Sequence, residues 1–239
     1  MKPPVDDDGD PRWEEVAPGV VRRRMPHWDA TVGAVRGETG VLLVDTGSTL
    51  TEGAELRDQV HAVLGRPVTH IALTHAHFDH VLGTASMPDA EVYGPQGIEP
   101  ALRDAAGLRS DAVKQGVAPD EAARAADVLV LPHHLVDGEQ PLDLGGLRVV
   151  LAGLGPAHSG ADLAVLVPGS PAVVFCGDLV EESGDPQAGP DAHPARWPAA
   201  LDRLLALGGP DALYVPGHGA VVDAAFVRRQ RDELAAALG

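Results

Sequence analysis

Residues 72–83, ALTHAHFDHVLG, crowd His75, His77, Asp79 and His80 into six positions directly after an apolar run. Three imidazoles this close repel one another once protonated, and any that are buried need hydrogen-bond partners. One or two bound cations would make the crowding favourable. The remaining ligands would then have to come from elsewhere in the chain, so segments far apart in order must end at one point. No other feature restricts the fold as severely.

The rest of the sequence can meet that demand, because short apolar runs alternate with helical patterns. Segments 31–37 and 40–47 read as strands joined by a tight turn at Glu38–Thr39. A helix follows, opening on a capping box of Thr49 and Glu52, with Leu56, Val60, Val63 and Leu64 along one face. Residues 68–75 and 90–94 read as strands, and the Ala-rich, charged stretch 95–126 has Pro119 opening a helix. Further strands are expected at 127–131, 147–155, 163–167, 172–180 and 211–219. A helix at 194–207 would set Trp197, Leu201, Leu204 and Leu205 on one side and end at Gly208–Gly209. Another at 223–238 would start from Asp223 and align Phe226, Val227, Gln230, Leu234 and Leu238. Each half is strand-rich first and helical afterwards, which predicts an α/β chain of two sheets packed face to face with helices outside. Residues 1–12 read as a flexible acidic tail and 13–239 as a single domain.

His75 ends a strand, and a turn or helix start after it would let His77, Asp79 and His80 converge beyond that end, where ligand sites of α/β proteins gather. The arrangement recurs downstream. His158 in GPAHSGAD, Asp178 in VFCGDLV and His218 in VPGHG each follow an apolar run and sit beside glycine, which permits close backbone approach. A single catalytic zinc takes three protein ligands and a water. These seven candidates fit two ions sharing one carboxylate: His75, His77 and His158 around the first, Asp79, His80 and His218 around the second, and Asp178 between them.

HAHFDH resembles the H-x-H-x-D-H signature of the metallo-β-lactamase-fold hydrolases. GPAHSGAD, FCGDL and VPGHG are similar to that family's later motifs in order and spacing, and LLVDTG to its first. The resemblance covers roughly residues 20–222. It implies a four-layer αββα sandwich with the metal site at one edge of the two sheets. It implies for Asp45 a place behind the ligands, fixing backbone near the site. It further implies a dinuclear hydrolase of a small acyl substrate (thioester, lactone or ester) with two Zn2+ and a bridging hydroxide; iron and manganese suit the same donors. Asp79 or Asp178 would orient the attacking water. The same motif also serves mononuclear iron persulfide dioxygenases, which are implied to use only His75, His158 and Asp178, and it serves β-lactamases. Class B1 β-lactamases have a cysteine ligand near this point, but aligning VFCGDLV by its glycine puts Asp178 there and leaves Cys176 as a small core residue.

Substrate choice must lie outside those seven. The loop 22–30, RRRMPHWDA, would overhang the site, with His27 and Trp28 as an apolar wall unless Trp28 simply packs. The Gly/Pro-rich segment 181–198 reads as a substrate flap offering His193 and Trp197, although Trp197 also fits a helix core. His133 and His134 read as structural or exposed. No basic cluster able to clamp the carboxylates of glutathione stands out in the last third, where Arg228, Arg229 and Arg231 read as a solvated helix face. The run Arg22–Arg24 could serve instead. A net charge of −17 disfavours nucleic acid, and no apolar run is long enough to span a bilayer. The expected partner is therefore a small molecule, with neither nucleic acid nor membrane, and with oligomeric state left open. One cysteine excludes an intrachain disulfide, and the N-terminus lacks the apolar core of a signal peptide, so the simplest location is cytoplasmic.

Overall fold

The computed structural model describes residues 13–237; the expected acidic tail and Leu238 lie outside the described residues. The first sheet joins β1 (Glu14–Ala17), β2 (Val20–Arg24), β3 (Thr31–Arg36), β4 (Val41–Val44), β5 (His70–Ala72), β6 (Glu91–Pro95) and β7 (His134–Val136) in sequential order. Its strands pair antiparallel from β1 to β4 and parallel from β4 to β7. The second sheet runs β12 (Leu213–Val215), β11 (Val173–Phe175), β10 (Leu163–Val167), β9 (Arg148–Gly153) and β8 (Glu139–Asp143).

Alternation along the strands sorts side chains into three apolar layers. Leu42 and Val44 point between the sheets, where they meet Leu151, Val165 and Phe175. Leu43 and Ile71 point the other way, onto α1 (Leu50–Leu64), α3 (Glu99–Arg103), α4 (Ala105–Lys114) and α5 (Pro119–Ala126) through Leu56, Val60, Leu102, Leu108 and Ala122. Val174 and Tyr214 cover the far face of the second sheet against Trp197, Leu201 and Leu204 of α6 (Trp197–Gly208) and Val227 of α7 (Ala224–Ala236). Each fully buried Leu or Val contributes on the order of 2 kcal/mol. The result is the four-layer αββα sandwich.

The local signals behave as their chemistry requires, with instructive departures. Thr49 Oγ1 accepts from Glu52 N at 3.1 Å, but the Glu52 carboxylate reaches back to Ser48 N and Oγ rather than to Thr49, so the capping box is displaced by one residue. Val63, expected on the buried face of α1, is 49% exposed at the rim of the Leu56–Val60–Leu64 stripe. Residues 127–131 form no strand: Pro132 has no N–H to donate, and pairing with β6 starts only after it, at His133 N to Val92 O. Arg22–Arg24, expected in a loop, lie inside β2 and are buried. No helix among the described residues is long and apolar enough to cross a membrane.

Candidate metal centre

Strand ends build the site. After β4 the chain turns through Asp45, which holds a left-handed φ of 63° that Asp tolerates better than most side chains. After β5 it enters α2 (Phe78–Val81), a single turn carrying Asp79 and His80. After β11 it tightens through Gly177, at φ 54°, into a short turn holding Asp178, and after β12 it passes Gly217 to His218. A Cβ on Gly217 would collide with Asp178 Oδ1, so only glycine lets these two strand ends close on each other.

Two groups result, His75, His77, His158 and Asp178 in one and Asp79, His80 and His218 in the other, with the ligand atoms of each within 4.8 Å of one another. Asp178 faces both. Its Oδ2 lies 3.6 Å from His75 Nε2, 3.4 Å from His158 Nε2 and 3.2 Å from His218 Nε2, while Oδ1 lies 3.3 Å from His80 Nε2. Asp79 Oδ2 is 3.6 Å from both His80 Nε2 and His218 Nε2. His77 and His218 are half-buried and the other five are buried.

Partners behind the rings decide which nitrogen faces inward. Asp45 accepts from Thr74 N, Thr74 Oγ1 and His80 Nδ1, each at 2.8 Å. Because the Thr74 hydroxyl hydrogen goes to Asp45, His75 Nδ1 donates to Thr74 Oγ1, at 2.9 Å. His218 Nδ1 donates to the Trp28 carbonyl at 2.7 Å. His77 is turned the other way: Nε2 donates to Asp191 Oδ2 at 3.2 Å, and Nδ1 faces His158 Nε2 at 3.1 Å. His75 Nε2, His80 Nε2 and Asp178 Oδ1 remain buried without a hydrogen bond, a costly state that a cation among imidazole and carboxylate donors would relieve. The charges point the same way. Burial works to lower the His218 pKa, but the Asp178 carboxylate overrides it and holds it at about 9. His80, buried against Asp178, Asp79 and Asp45, is also raised, whereas burial beside His80 pushes His75 well down and burial brings His158 to about 4.

Residues 26–218 match the family model of the metallo-beta-lactamase superfamily. The chain belongs to that superfamily. Among curated relatives of this superfamily chain, metallo-beta-lactamase domain-containing protein 1 of Xenopus laevis is 30% identical over 80% of the chain and 71% of its own length. A hydroxyacylglutathione hydrolase of Cupriavidus metallidurans is 29% identical over 78% of the chain, which spans 62% of that relative. A metallo-beta-lactamase from Pontibacter korlensis superposes with a TM-score of 0.75 at 20% identity, covering 94% of this chain and 98% of that one. One from Hirschia baltica gives 0.69 at 16% identity, over 93% and 97%. At such identities the two structures establish the superfamily fold.

A cleft of about 510 Å³ opens beside His77 and Asp79, with Phe78, Leu108 of α4 and Pro190 among its walls. Several expected contacts fall outside it. Trp197 is fully buried, its Nε1 donating to Leu179 O and its ring 5.3 Å from that of His158, so it backs the site instead of meeting a substrate. His193 is exposed at the entry to α6 and does not line the cleft. His27 and Trp28 border a neighbouring cleft, and Trp28 stands edge-on to Phe78 at 5.2 Å. Cys176 is buried, with Sγ directed to Val174 O and its thiol pKa pushed up by burial; it is a core residue. His133 and His134 lie at the start of β7 beside Glu91. Two residues escaped the sequence reading. Asp191, in the Gly/Pro-rich segment 181–198, orients His77. Asp162 accepts from Ala157 N, Ser159 N and Ser159 Oγ, shaping the loop that carries His158, and burial raises its pKa to about 6.

Proposed function

We propose that this chain is a metal-dependent hydrolase of a small acyl compound (a thioester, lactone or ester) that works with two divalent ions. The observation that carries the proposal is the Asp178 carboxylate lying between two separate ligand groups, with both of its oxygens directed at imidazole nitrogens. His75, His77 and His158 would hold one ion, Asp79, His80 and His218 the other, and Asp178 would touch both; zinc suits these donors, as do iron and manganese. Bound there, such ions supply Lewis acidity at a carbonyl oxygen and a water acidic enough to ionise near neutral pH.

The chain's own residues do the rest. Asp45, the Trp28 carbonyl and Asp191 fix the rings so that no reorganisation is needed during turnover. Asp79 borders the cleft, where its carboxylate orients the attacking water, with Asp178 behind it against the same His80 and His218 nitrogens. In the net reaction water adds to the acyl carbon, the C–S or C–O bond breaks, and an acid leaves with a thiol or an alcohol. The hydroxyacylglutathione hydrolase relative supports this reaction class. Cys176 in the core, with Asp178 at the turn, gives a β-lactamase reading no added support.

The test is metal analysis of protein purified without chelators, combined with thioester, ester, lactone and β-lactam hydrolysis assays and oxygen uptake with a persulfide. Two ions per chain with thioester, ester or lactone turnover are expected, lost in Asp79→Ala while the fold is kept. One iron per chain with oxygen consumption on a persulfide would replace this proposal.

A further inference from the structure

The cleft beside His77 and Asp79 has walls of known charge, and those walls restrict what can lie in it. Beyond the ligand groups, its charged residues among the described residues are Asp104, which caps α4, Asp111 within α4, Asp191 of the 181–198 segment, and one cation, Lys114. Lys114 Nζ is already held by Asp111 Oδ1 at 2.8 Å. The neighbouring cleft shares Gln115 with this one and adds Glu52 and Glu121 with no lysine or arginine. No arginine among the described residues lines either cleft, and those of the Arg22–Arg24 run and of α7 are engaged elsewhere. Arg22 pairs with Glu14 and donates to Gly219 O, Arg23 reaches Gln59, and Arg24 pairs with Asp29. Arg229 stacks on Phe226 and Arg231 pairs with Asp202, both on α7 across the second sheet. Phe78 and Leu108 supply apolar wall between the acids.

Resting on the hydrolase reading, we propose that the substrate arm lying along α4 carries no negative charge: the enzyme takes neutral or cationic acyl compounds and discriminates against anionic thioesters such as those of glutathione. With Lys114 offsetting Asp111, Asp104 and Asp191 still leave the cleft wall net negative, which repels a like charge over most of a Debye length, about 8 Å at physiological salt, and no bidentate arginine clamp faces it.

Three butyryl thioesters differing only in the thiol make the probe: thiocholine, 2-mercaptoethanol and 3-mercaptopropionate. With the zinc-loaded enzyme, kcat/KM for the first two should exceed that for the anionic third by about fivefold or more, and the gap should narrow in high salt. Asp111→Asn, an exposed change that also releases Lys114, should raise the anionic-to-neutral ratio by about threefold. Equal or greater activity on the anionic member would overturn the proposal while leaving the hydrolase reading intact. If none of the three is hydrolysed, calorimetric binding of the matching ketones, with sulfur replaced by CH2, still decides it. Tighter binding of the uncharged and cationic ketones supports the proposal, and tighter binding of the anionic one refutes it.

Discussion

His77 differs from His75, His80 and His218: it is held from behind through Nε2 rather than Nδ1, by Asp191 of the Gly/Pro-rich segment 181–198. Losing such a partner typically lowers metal affinity about 10–100-fold. Asp191→Ala should therefore weaken one of the two ions by that factor and leave the other nearly unchanged, as read by competition with a chromogenic chelator; equal weakening of both, or of neither, would contradict the role. Protons give a second handle. With His218 raised to about 9, its ring is protonated at pH 7 when no ion is bound, so ion binding must release that proton. Affinity should rise with pH until about 9, and calorimetry in buffers of different ionisation enthalpy should find at least about one proton released at pH 7. The same shift stabilises the metal-free fold below the ordinary value of 6.5, and that increment is lost as pH climbs from there to about 9. Zero proton release would contradict the geometry around Asp178. At this scale the seven ligand candidates were legible because each ends an apolar run beside a turn. Asp191 and Asp162 were not, since nothing in a Gly/Pro-rich loop or a Gly-rich turn marks which carboxylate will face inward.

Among the elements, α7 supports the site without touching a ligand residue. Gln230, buried on its inner face, donates to Leu179 O at 2.8 Å and accepts from Glu181 N at 3.1 Å, gripping the chain on both sides of the turn after Asp178. Gln230→Ala strands the Glu181 N–H, and should destabilise the fold by about 1–3 kcal/mol in urea melts while also weakening ion binding. A change within about 0.5 kcal/mol of wild type would mean that the turn is held without Gln230, by Trp197 Nε1 on Leu179 O and by Gly217 N on Gly177 O and Val180 O. The helical pattern that exposed Gln230 in the sequence also yielded α1, α6 and α7, because long apolar stripes survive local exceptions such as Val63. Strands were harder. β1, β2 and β8 contain charged or proline residues (EEVA, VVRRR, EQPLD) that hide their pairing, and DVLVL reads as a strand although it pairs with nothing. Pairing depends on a neighbour that the local sequence does not contain.

For the molecule as a whole, the two sheets could be inferred from the alternation of apolar runs, but the αββα layering and the edge where the ends meet came from the resemblance rather than from periodicity, and the strand order came from neither. That edge is where the account stands or falls. The proposed site sets two ions on either side of one carboxylate there. The most direct test is anomalous diffraction at the zinc edge from crystals of the zinc-loaded protein. Two peaks should appear on either side of Asp178, one among His75, His77 and His158, the other among Asp79, His80 and His218. A single peak bound by His75, His158 and Asp178 with the second group empty, or peaks only away from these seven residues, would contradict it.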